Sequence, residues 1–305
     1  MAHHPASKEL DHAYGDGRGR TPLSRREPPP LQLLLSALGH GRRTAPSSPA
    51  RDGAGNILRE WMPPTTLVAT LLLAWQLAAA TLQVPRWLLP APTDIAAALY
   101  SSRDLLALHG WVTLQEVLVG FAISFVVGIV LAVAIASFRT LERAIYPFVI
   151  ASQTIPVIAI APILLIWFGY GLLPKVIVVA LICFFPIVVN MVDGLRSVDP
   201  EMVNLLRAMG ASRWQIFLKA QVPSSLPFLL SGTKVAIAVS VIGAVIGEWV
   251  GASAGLGYFM VRSASQFQTA RVFAAIVVLS AMGIILFELL ALSERYLIPW
   301  HSRKR

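Results

Sequence analysis

Six long stretches of apolar residues follow one another from residue 65 onward, separated by short polar segments. A helix of about 20 residues, rising 1.5 Å per residue, crosses the roughly 30 Å hydrocarbon core of a bilayer. The pattern therefore predicts an all-α membrane protein whose six transmembrane helices cover residues 65–84, 112–137, 147–168, 174–193, 229–250 and 272–293. Buried helices of a large soluble protein would need polar faces, which these stretches lack.

The composition agrees with lipid as the main solvent. Hydrophobic residues make up 56% of the 305-residue chain and charged residues 13%, against about 25% charged in ordinary soluble domains. The net charge of +9 could indicate nucleic acid, but no basic–aromatic face of a nucleic-acid module is evident. We expect lipid and no nucleic acid as a partner. Cys183 is the single cysteine, so no intrachain disulfide can form.

Residues 1–60 differ from the rest of the chain. They are rich in Pro, Gly, Ser and Arg without hydrophobic periodicity, so we predict a disordered basic tail, followed by a permease-like membrane domain over 61–305. A secretory signal is the alternative, but its candidate core, residues 31–38, is short and begins late. Met62 directly precedes the first apolar run, so a start at Met62 is a further hypothesis.

The distribution of Lys and Arg predicts the orientation, because cytoplasmic segments carry the positive excess. With the N-terminus inside, the cytoplasmic segments after the tail hold ten such residues: Arg139, Arg143, Arg196, Arg207, Arg213, Lys219, Arg295, Arg303, Lys304 and Arg305. The outer side holds five: Arg86, Arg103, Lys175, Arg262 and Arg271. We expect both termini in the cytoplasm.

Prolines mark breaks in the pattern. Between the first two spans, Pro90 and Pro92 precede a short helix that extends to about Tyr100 and is capped by Thr93 or Asp94. We place this helix on the outer surface.

Three prolines fall in the third span and one in the fourth: Pro147, Pro156, Pro162 and Pro186. Proline in a membrane helix frees carbonyls that need partners. It indicates either a kinked packing helix or one that lines a cavity, and three in one span favour the cavity.

The polar segment between the fourth and fifth spans, about residues 194–228, predicts two short helices that meet at an angle. Asp199 before Pro200 is a typical helix start, and Gly210 supplies a left-handed stop after about Met209. We call residues 199–223 the elbow.

The second arm of the elbow begins with a capping box. Ser212 and Gln215 have the required spacing, and the helix is predicted to reach about Gln221 before Pro223 and Pro227 begin the return to the membrane. The two arms present apolar side chains beside basic ones: Leu205, Leu206, Met209, Trp214 and Phe217. Such a surface fits either a docking site for another protein or packing under the chain's own bundle.

The elbow resembles the cytoplasmic loop of permease subunits of binding-protein-dependent ABC importers, whose pattern is roughly E-A-A, three residues, G, nine residues, I, one residue, L-P. Gly210 and Pro223 have the matching spacing. Asn204-Leu205-Leu206 replaces Glu-Ala-Ala, with Glu201 one turn earlier, and Ala220 and Val222 replace Ile and Leu. The acidic residue of the family's pattern is therefore absent from its usual place in the elbow.

The resemblance extends over residues 65–300 and is to the nitrate, sulfonate and taurine permease family, which has a thiamine-precursor branch. The matching stretches are LPAPTDI (89–95), IPVIAIAPILLIWFGYG (155–171), GASRW (210–214), VPSSLPFLLSG (222–232) and GEWVGASAGLGY (247–258). The outer segment from residue 247 onward looks closest to the thiamine-precursor branch. The resemblance implies a type I ABC importer fold in the bacterial inner membrane and a pathway for a sulfonate-, nitrate- or taurine-like anion or a thiamine-pyrimidine precursor.

The same resemblance implies partners: a second copy of the permease, cytoplasmic ATPase subunits and an external solute-binding protein. The chain itself has no Walker A loop, since Gly232-Thr233-Lys234 lacks the earlier glycine. A membrane-embedded enzyme is disfavoured because HExxH and GxSxG motifs are absent. A self-sufficient secondary transporter is the alternative, but neither inverted repeats nor intramembrane charges that would bind coupling ions are clearly seen. We expect no cofactor, no metal and no catalytic residue.

Two groups of residues are therefore candidates for function. The ATPase-coupling group is Leu205, Leu206, Arg207, Met209, Gly210, Arg213, Trp214, Phe217 and Pro223. The pathway or gate group is Pro156, Pro162, Glu248, Gly251 and Arg262. Glu248 lies at the outer end of the fifth span, where a carboxylate is costly. It either makes a structural hydrogen bond to a neighbouring loop or contacts solute, with Arg262 or Arg271 as candidate partners.

Overall fold

The computed structural model describes residues 53–81, 85 and 87–297. The chain divides into two units at Trp61–Met62, and the packing and the sites described below lie within the second. The predicted tail lies largely outside the described residues, so its disorder and the domain boundary stay predictions.

All regular structure in the described residues is helical. The helices are α1 (Gly53–Thr81), α2 (Pro92–Ser101), α3 (Arg103–Ser137), α4 (Arg139–Ser152), α5 (Val157–Phe168), α6 (Leu172–Arg196), α7 (Pro200–Ala208), α8 (Arg213–Ile216), a π-helical turn (Phe217–Gln221), α9 (Val222–Gly251), α10 (Leu256–Ser265) and α11 (Thr269–Leu297). Four runs are long and apolar enough to cross a membrane: α3, α6, α8–α9 and α11. If the bent pair α4–α5 is taken as one span, the described residues contain five such spans. The first predicted span corresponds to a shorter apolar segment, Thr65–Thr81.

Helix α6 lies at the centre of the bundle, and glycines let its neighbours approach closely. A β-carbon on Gly120 of α3 would lie 2.6 Å from Val179, and one on Gly243 of α9 would lie 3.1 Å from the Cα of the same valine. Gly247 meets the backbone of Lys175 in the same way. Gly243 and Gly247 therefore form a glycine ridge along α9 that packs closely against α6.

The direction of α3 relative to α6 decides what the segment between them must do. Gly120 lies against Val179 and Gly128 against Ile187, so the two helices run parallel. Two parallel spans joined by one segment require that segment, α4–α5, to cross back to the starting side. The third span therefore exists, but the prediction of one helix over 147–168 is wrong: α4 and α5 meet at 101°.

The bend lies at Pro156. Ile155 precedes this proline, and a residue before proline avoids helical backbone angles, so α4 ends at Ser152 and Pro156 becomes the N-cap of α5. Pro147 and Pro162 are both inside helices, so one of the three prolines in this span makes the break.

The short helix before α3 begins earlier than predicted. Neither Thr93 nor Asp94 is the N-cap; Ala91 is, and its N–H donates to the Asp94 carboxylate at 3.3 Å. Pro92 occupies the first helical position, for which its fixed backbone angle is suited. Helix α3 then begins at Arg103, nine residues before the predicted start of the second span.

The first arm of the elbow forms as the sequence indicates. Asp199 is the N-cap of α7 and accepts from the N–H of Glu201 at 2.8 Å. Gly210 has a positive φ of 82° and reverses the chain. Ser212 and Gln215 form the capping box of α8, with hydrogen bonds of 3.3 and 2.8 Å.

The second arm of the elbow does not end near Gln221 as predicted. The Val222 N–H bonds to the Phe217 carbonyl across a π-helical turn, and the helix continues, giving one run of 39 residues, Arg213–Gly251. The turn shifts the hydrogen-bond register just before Pro223, so this proline enters at the first turn of α9, where its missing N–H removes little. Pro227 is also inside α9.

Candidate functional site

Three ionisable side chains from three different helices are buried at the end of the bundle opposite the elbow. Glu116 of α3 and Glu248 of α9 are 0% and 1% exposed, and Lys175 of α6 is 8% exposed. These charges lie within the predicted spans or at their ends, where an ionisable side chain is costly unless it is paired or hydrogen-bonded. The three residues lie in different apolar stretches, and the sequence does not show that these stretches bring them together.

Lys175 and Glu116 form a buried ion pair. The Lys175 Nζ lies 2.6 Å from Glu116 Oε1 and 3.5 Å from the Ala254 carbonyl oxygen. The other oxygen of Glu116, Oε2, is buried, and the Glu116 carboxyl group lies within hydrogen-bonding reach of the Glu248 carboxyl group. Removing one member of such a pair costs about 3–5 kcal/mol, because an uncompensated charge remains.

Glu248 is bound on both of its oxygens. The Thr113 hydroxyl donates to Oε1 at 2.7 Å, and the Gly257 N–H donates to Oε2. A structural hydrogen bond is therefore confirmed, although the partners belong to α3 and the first turn of α10 rather than to a loop. The proposed arginine partners are not: Arg262 donates to the Tyr258 hydroxyl, and Arg271 donates to the Gln268 side chain.

The N-terminus of α10 is held by three acceptors from other helices, which we call the α10 clamp: His109, Thr113 and Glu248. The N–H of Gly255 donates to His109 Nδ1 at 3.1 Å, that of Leu256 donates to Thr113 Oγ1 at 2.8 Å, and that of Gly257 donates to Glu248. The first N–H groups of a helix have no partner within the helix. The clamp satisfies three successive ones and fixes α10 to α3 and α9.

Gly255 is required by this arrangement. Its φ is 118°, and a β-carbon there would lie 2.2 Å from the Glu248 carboxyl group. A β-carbon on Gly257 would lie 2.9 Å from Glu248 Oε2. The glycines of GASAGLG thus let the backbone close over a buried carboxylate.

A cavity of about 520 Å³ opens beside the ion pair. It lies between the turn 169–171 and the loop 252–255 that precedes α10. Its lining is mostly apolar side chains and backbone, together with the two charged residues: Val112, Glu116, Tyr170, Gly171, Leu172, Lys175, Gly251, Ala252, Ser253 and Ala254. This volume is that of a small-molecule site.

The structure brings together two of the five residues predicted for the pathway. Glu248 belongs to the α10 clamp, and Gly251 lines the cavity. Pro156, Pro162 and Arg262 are exposed and do not line it. Four residues of the site were not among the candidates drawn from the sequence: His109, Thr113, Glu116 and Lys175. The three-residue spacing of Thr113 and Glu116, which places both on one face of α3, was the available signal.

The elbow exposes apolar side chains at the other end of the bundle. Leu205, Met209 and Trp214 are 61%, 75% and 65% exposed, while Leu206 and Phe217 are half-buried. The Trp214 ring stacks on Phe217 with 5.5 Å between centroids. Arg207, Arg213 and Lys219 are exposed around them. Large apolar groups ringed by basic ones are typical of protein-docking surfaces.

Comparison with known proteins gives the family. Residues 124–298 match the family described as "Binding-protein-dependent transport system inner membrane component". The chain belongs to this family. It is therefore a permease subunit of the ABC importer class, as the resemblance predicted.

Curated relatives cover most of the permease. The formylaminopyrimidine transport permease protein ThiX of Halalkalibacterium halodurans is 42% identical over 80% of this chain and 97% of its own. The riboflavin transport system permease protein RibX of Chloroflexus aurantiacus is 36% identical over 78% and 90%. The putative aliphatic sulfonates transport permease protein SsuC of Bacillus subtilis is 28% identical over 79% and 88%.

Solved structures agree on the fold. The permease resembles a chain of the inward-facing MetNI methionine ABC transporter, with a TM-score of 0.50 and 22% identity over 62% of this chain and 98% of that chain. It resembles a chain of an amino acid ABC transporter with a TM-score of 0.54 and 17% identity over 66% and 97%. The predicted type I importer fold is thereby confirmed.

Proposed function

We propose that two copies of this permease form the pathway of a bacterial importer, that an external binding protein delivers the solute, and that partner ATPases bind the elbow. The observation that carries the proposal is the exposed Trp214–Met209–Leu205 surface at one end of the bundle. An interface would bury these side chains, and the arginines around them would pair with acidic residues of the partner.

The orientation follows from the same proposal. If the elbow meets a cytoplasmic ATPase, the α10 clamp and the cavity lie at the outer end, where the solute arrives. Both termini are then cytoplasmic, in agreement with the Lys and Arg distribution. In this orientation, Glu248 and Gly251 belong to an outer gate, with Pro156, Pro162 and Arg262 as further pathway candidates.

The solute we propose is a small pyrimidine of the thiamine-precursor type. The relative named for formylaminopyrimidine transport is 42% identical over 97% of its length, whereas the sulfonate permease is 28% identical. This difference supports a heterocycle over a sulfonate, nitrate or taurine-like anion.

The test is ATP hydrolysis by the reconstituted importer in proteoliposomes. Trp214→Ala should weaken binding of the ATPase and lower solute-stimulated hydrolysis at least about tenfold, because a buried aromatic anchor contributes about 2 kcal/mol or more. Gly210→Asp should uncouple hydrolysis from transport, because a side chain at this positive φ redirects α8.

The matched control is Trp111→Ala, since Trp111 is 60% exposed but lies on α3, near the clamp end. It should leave the ATPase bound. Wild-type stimulated hydrolysis in both elbow variants would show that the elbow is not the coupling site. ATP-independent uptake by the chain alone would favour the secondary transporter instead.

A further inference from the structure

The Glu116 and Glu248 carboxyl groups meet at the end of the bundle opposite the elbow. They come from different helices, α3 and α9, and are 0% and 1% exposed. Glu116 Oε1 accepts from Lys175 Nζ at 2.6 Å, whereas no amide, hydroxyl or ammonium group of the described residues donates to its buried Oε2. The group within hydrogen-bonding reach is the Glu248 carboxyl group. Two carboxyl groups can hydrogen-bond only if one of them carries a proton, because ionised carboxylates accept and do not donate.

The charges around the pair give the same count of one proton. The cation in contact with it is Lys175, since Arg262 and Arg271 donate to other side chains. His109 is neutral, because its Nδ1 accepts the Gly255 N–H and so carries no proton. Two ionised carboxylates beside one ammonium group would leave a net negative charge in a site removed from water, which is costly. One proton on the pair makes the site neutral.

We propose that Glu116 and Glu248 share one proton and that this proton joins α3 to α9 beside the α10 clamp. The proton lies between Glu116 Oε2 and the Glu248 carboxyl group, and Lys175 pairs with the one negative charge that remains. A hydrogen bond between a carboxylic acid and a carboxylate is a strong one. Glu248 in turn holds the N-terminus of α10 through Gly257, so Glu116 is a positioning residue for the clamp. This proton site does not depend on the importer role proposed above.

The proton determines whether the clamp can hold. Without it, two negative charges would lie within hydrogen-bonding reach of each other. Glu116 is fixed by Lys175 at 2.6 Å, so Glu248 is the side chain that would turn away, and the Gly257 N–H would lose its acceptor. Residues 252–254, which line the cavity, directly precede this end of α10. The shared proton therefore keeps one wall of the cavity in place.

The direct test is difference infrared spectroscopy of the full chain in lipid nanodiscs near neutral pH, without binding protein or ATPase. A protonated carboxylic acid has a C=O stretching band that ionised carboxylates lack. Glu116→Gln and Glu248→Gln each leave one carboxyl group, which ionises beside Lys175 because the new amide supplies the hydrogen bond. We expect one carboxylic acid band in the native chain that either substitution removes. Absence of this band from the native chain, or its survival in either variant, overturns the proposal.

Thermal unfolding gives a second measurement, because charge balance predicts non-additive effects. Each single substitution keeps the site neutral, so Glu116→Gln should melt close to the native chain. The double variant with Glu248→Gln leaves the Lys175 ammonium buried without a carboxylate, so its melting temperature should fall by more than the sum of the single shifts. Additive shifts contradict the shared proton.

Failure of a variant to fold is also informative. A Glu116→Gln chain that does not fold contradicts the proposal, because the glutamine N–H takes the place of the shared proton. A double variant that does not fold agrees with the uncompensated charge of Lys175. If Glu248→Gln does not fold, the difference spectrum between the native and Glu116→Gln chains decides.

The matched control is Glu142→Gln, at a carboxylate of α4 that is 40% exposed and lies 2.9 Å from Arg196. It makes the same chemical change at a solvated ion pair and should leave the carboxylic acid band unchanged. Loss of the band in this variant too would show that the band does not belong to the Glu116–Glu248 pair. A chain that binds its ATPase through the elbow but lacks the band contradicts the proton site and leaves the importer role intact.

Discussion

At the scale of single residues, Glu248 shows how a carboxylate can be kept in a membrane protein. It accepts one hydrogen bond from the Thr113 side chain of α3 and one from the Gly257 backbone N–H of α10. Gly255 and Gly257 have no side chains that would collide with its carboxyl group. A charged hydrogen bond contributes about 1.5–3 kcal/mol, and an orphaned buried donor costs about 1–3 kcal/mol. The side chain therefore acts as a connector between three helices.

The first prediction concerns replacement of this connector. Glu248→Gln keeps the shape and one acceptor, so we expect a modest loss of uptake. Glu248→Leu leaves the Gly257 N–H and the Thr113 hydroxyl without their partner, so we expect a severe loss and a lower melting temperature. Solute uptake is measured in proteoliposomes at matched protein abundance. Near-normal uptake and melting of the Leu variant would mean that the α10 clamp does not depend on Glu248.

At the scale of elements, the π-helical turn sets how the elbow faces relative to the transmembrane helix. Five residues, Phe217–Gln221, form the turn, and α8 and α9 continue on either side of it. A π turn holds one residue more than an α turn, so it fixes the rotation of Trp214 about the axis of α9.

The second prediction tests this rotation. Deletion of Leu218 should convert the π turn into an α turn and rotate α8 by about 100° relative to α9. We expect normal membrane insertion with loss of solute-stimulated ATP hydrolysis. Leu218→Ala removes the same exposed side chain without changing the register and should retain hydrolysis. Full stimulation after the deletion would contradict a defined elbow orientation.

Local signals explain which elements the sequence could predict. The Asp199 cap, the left-handed Gly210 and the Ser212–Gln215 box depend on neighbours within a few residues, and each is confirmed. The 101° bend and the π turn are different, because a proline shows that hydrogen bonding must change but not how. Pro156 breaks a span, whereas Pro227 stays inside a helix.

At the scale of the whole molecule, the site depends on contacts that a linear pattern cannot show. Lys175 is 59 residues from Glu116, and Thr113 is 135 residues from Glu248. From the sequence alone, Lys175 is interpreted equally well as an exposed positive charge on the outer side of the membrane. Its burial follows from the packing of α6 between α3 and α9, which the sequence indicates only through the glycine ridge.

The third prediction concerns the orientation of the whole chain. Tyr100 of α2 and Met209 of the elbow are 73% and 75% exposed, and the native Cys183 is buried. A membrane-impermeant maleimide should therefore label Tyr100→Cys on intact cells and Met209→Cys after permeabilisation alone. The native chain, whose single cysteine is covered, is the control. Labelling of Met209→Cys on intact cells would reverse the proposed orientation.

The 39-residue run Arg213–Gly251 has a mechanical consequence. Trp214 and Glu248 are on this one continuous helix, a distance of about 51 Å along its axis at 1.5 Å per residue. In the proposed importer, an ATPase that displaces Trp214 therefore acts on the same helix that carries Glu248 at its other end. Movement at the elbow and movement at the α10 clamp are then parts of one displacement of this helix. No other element has to transmit the movement across the bilayer.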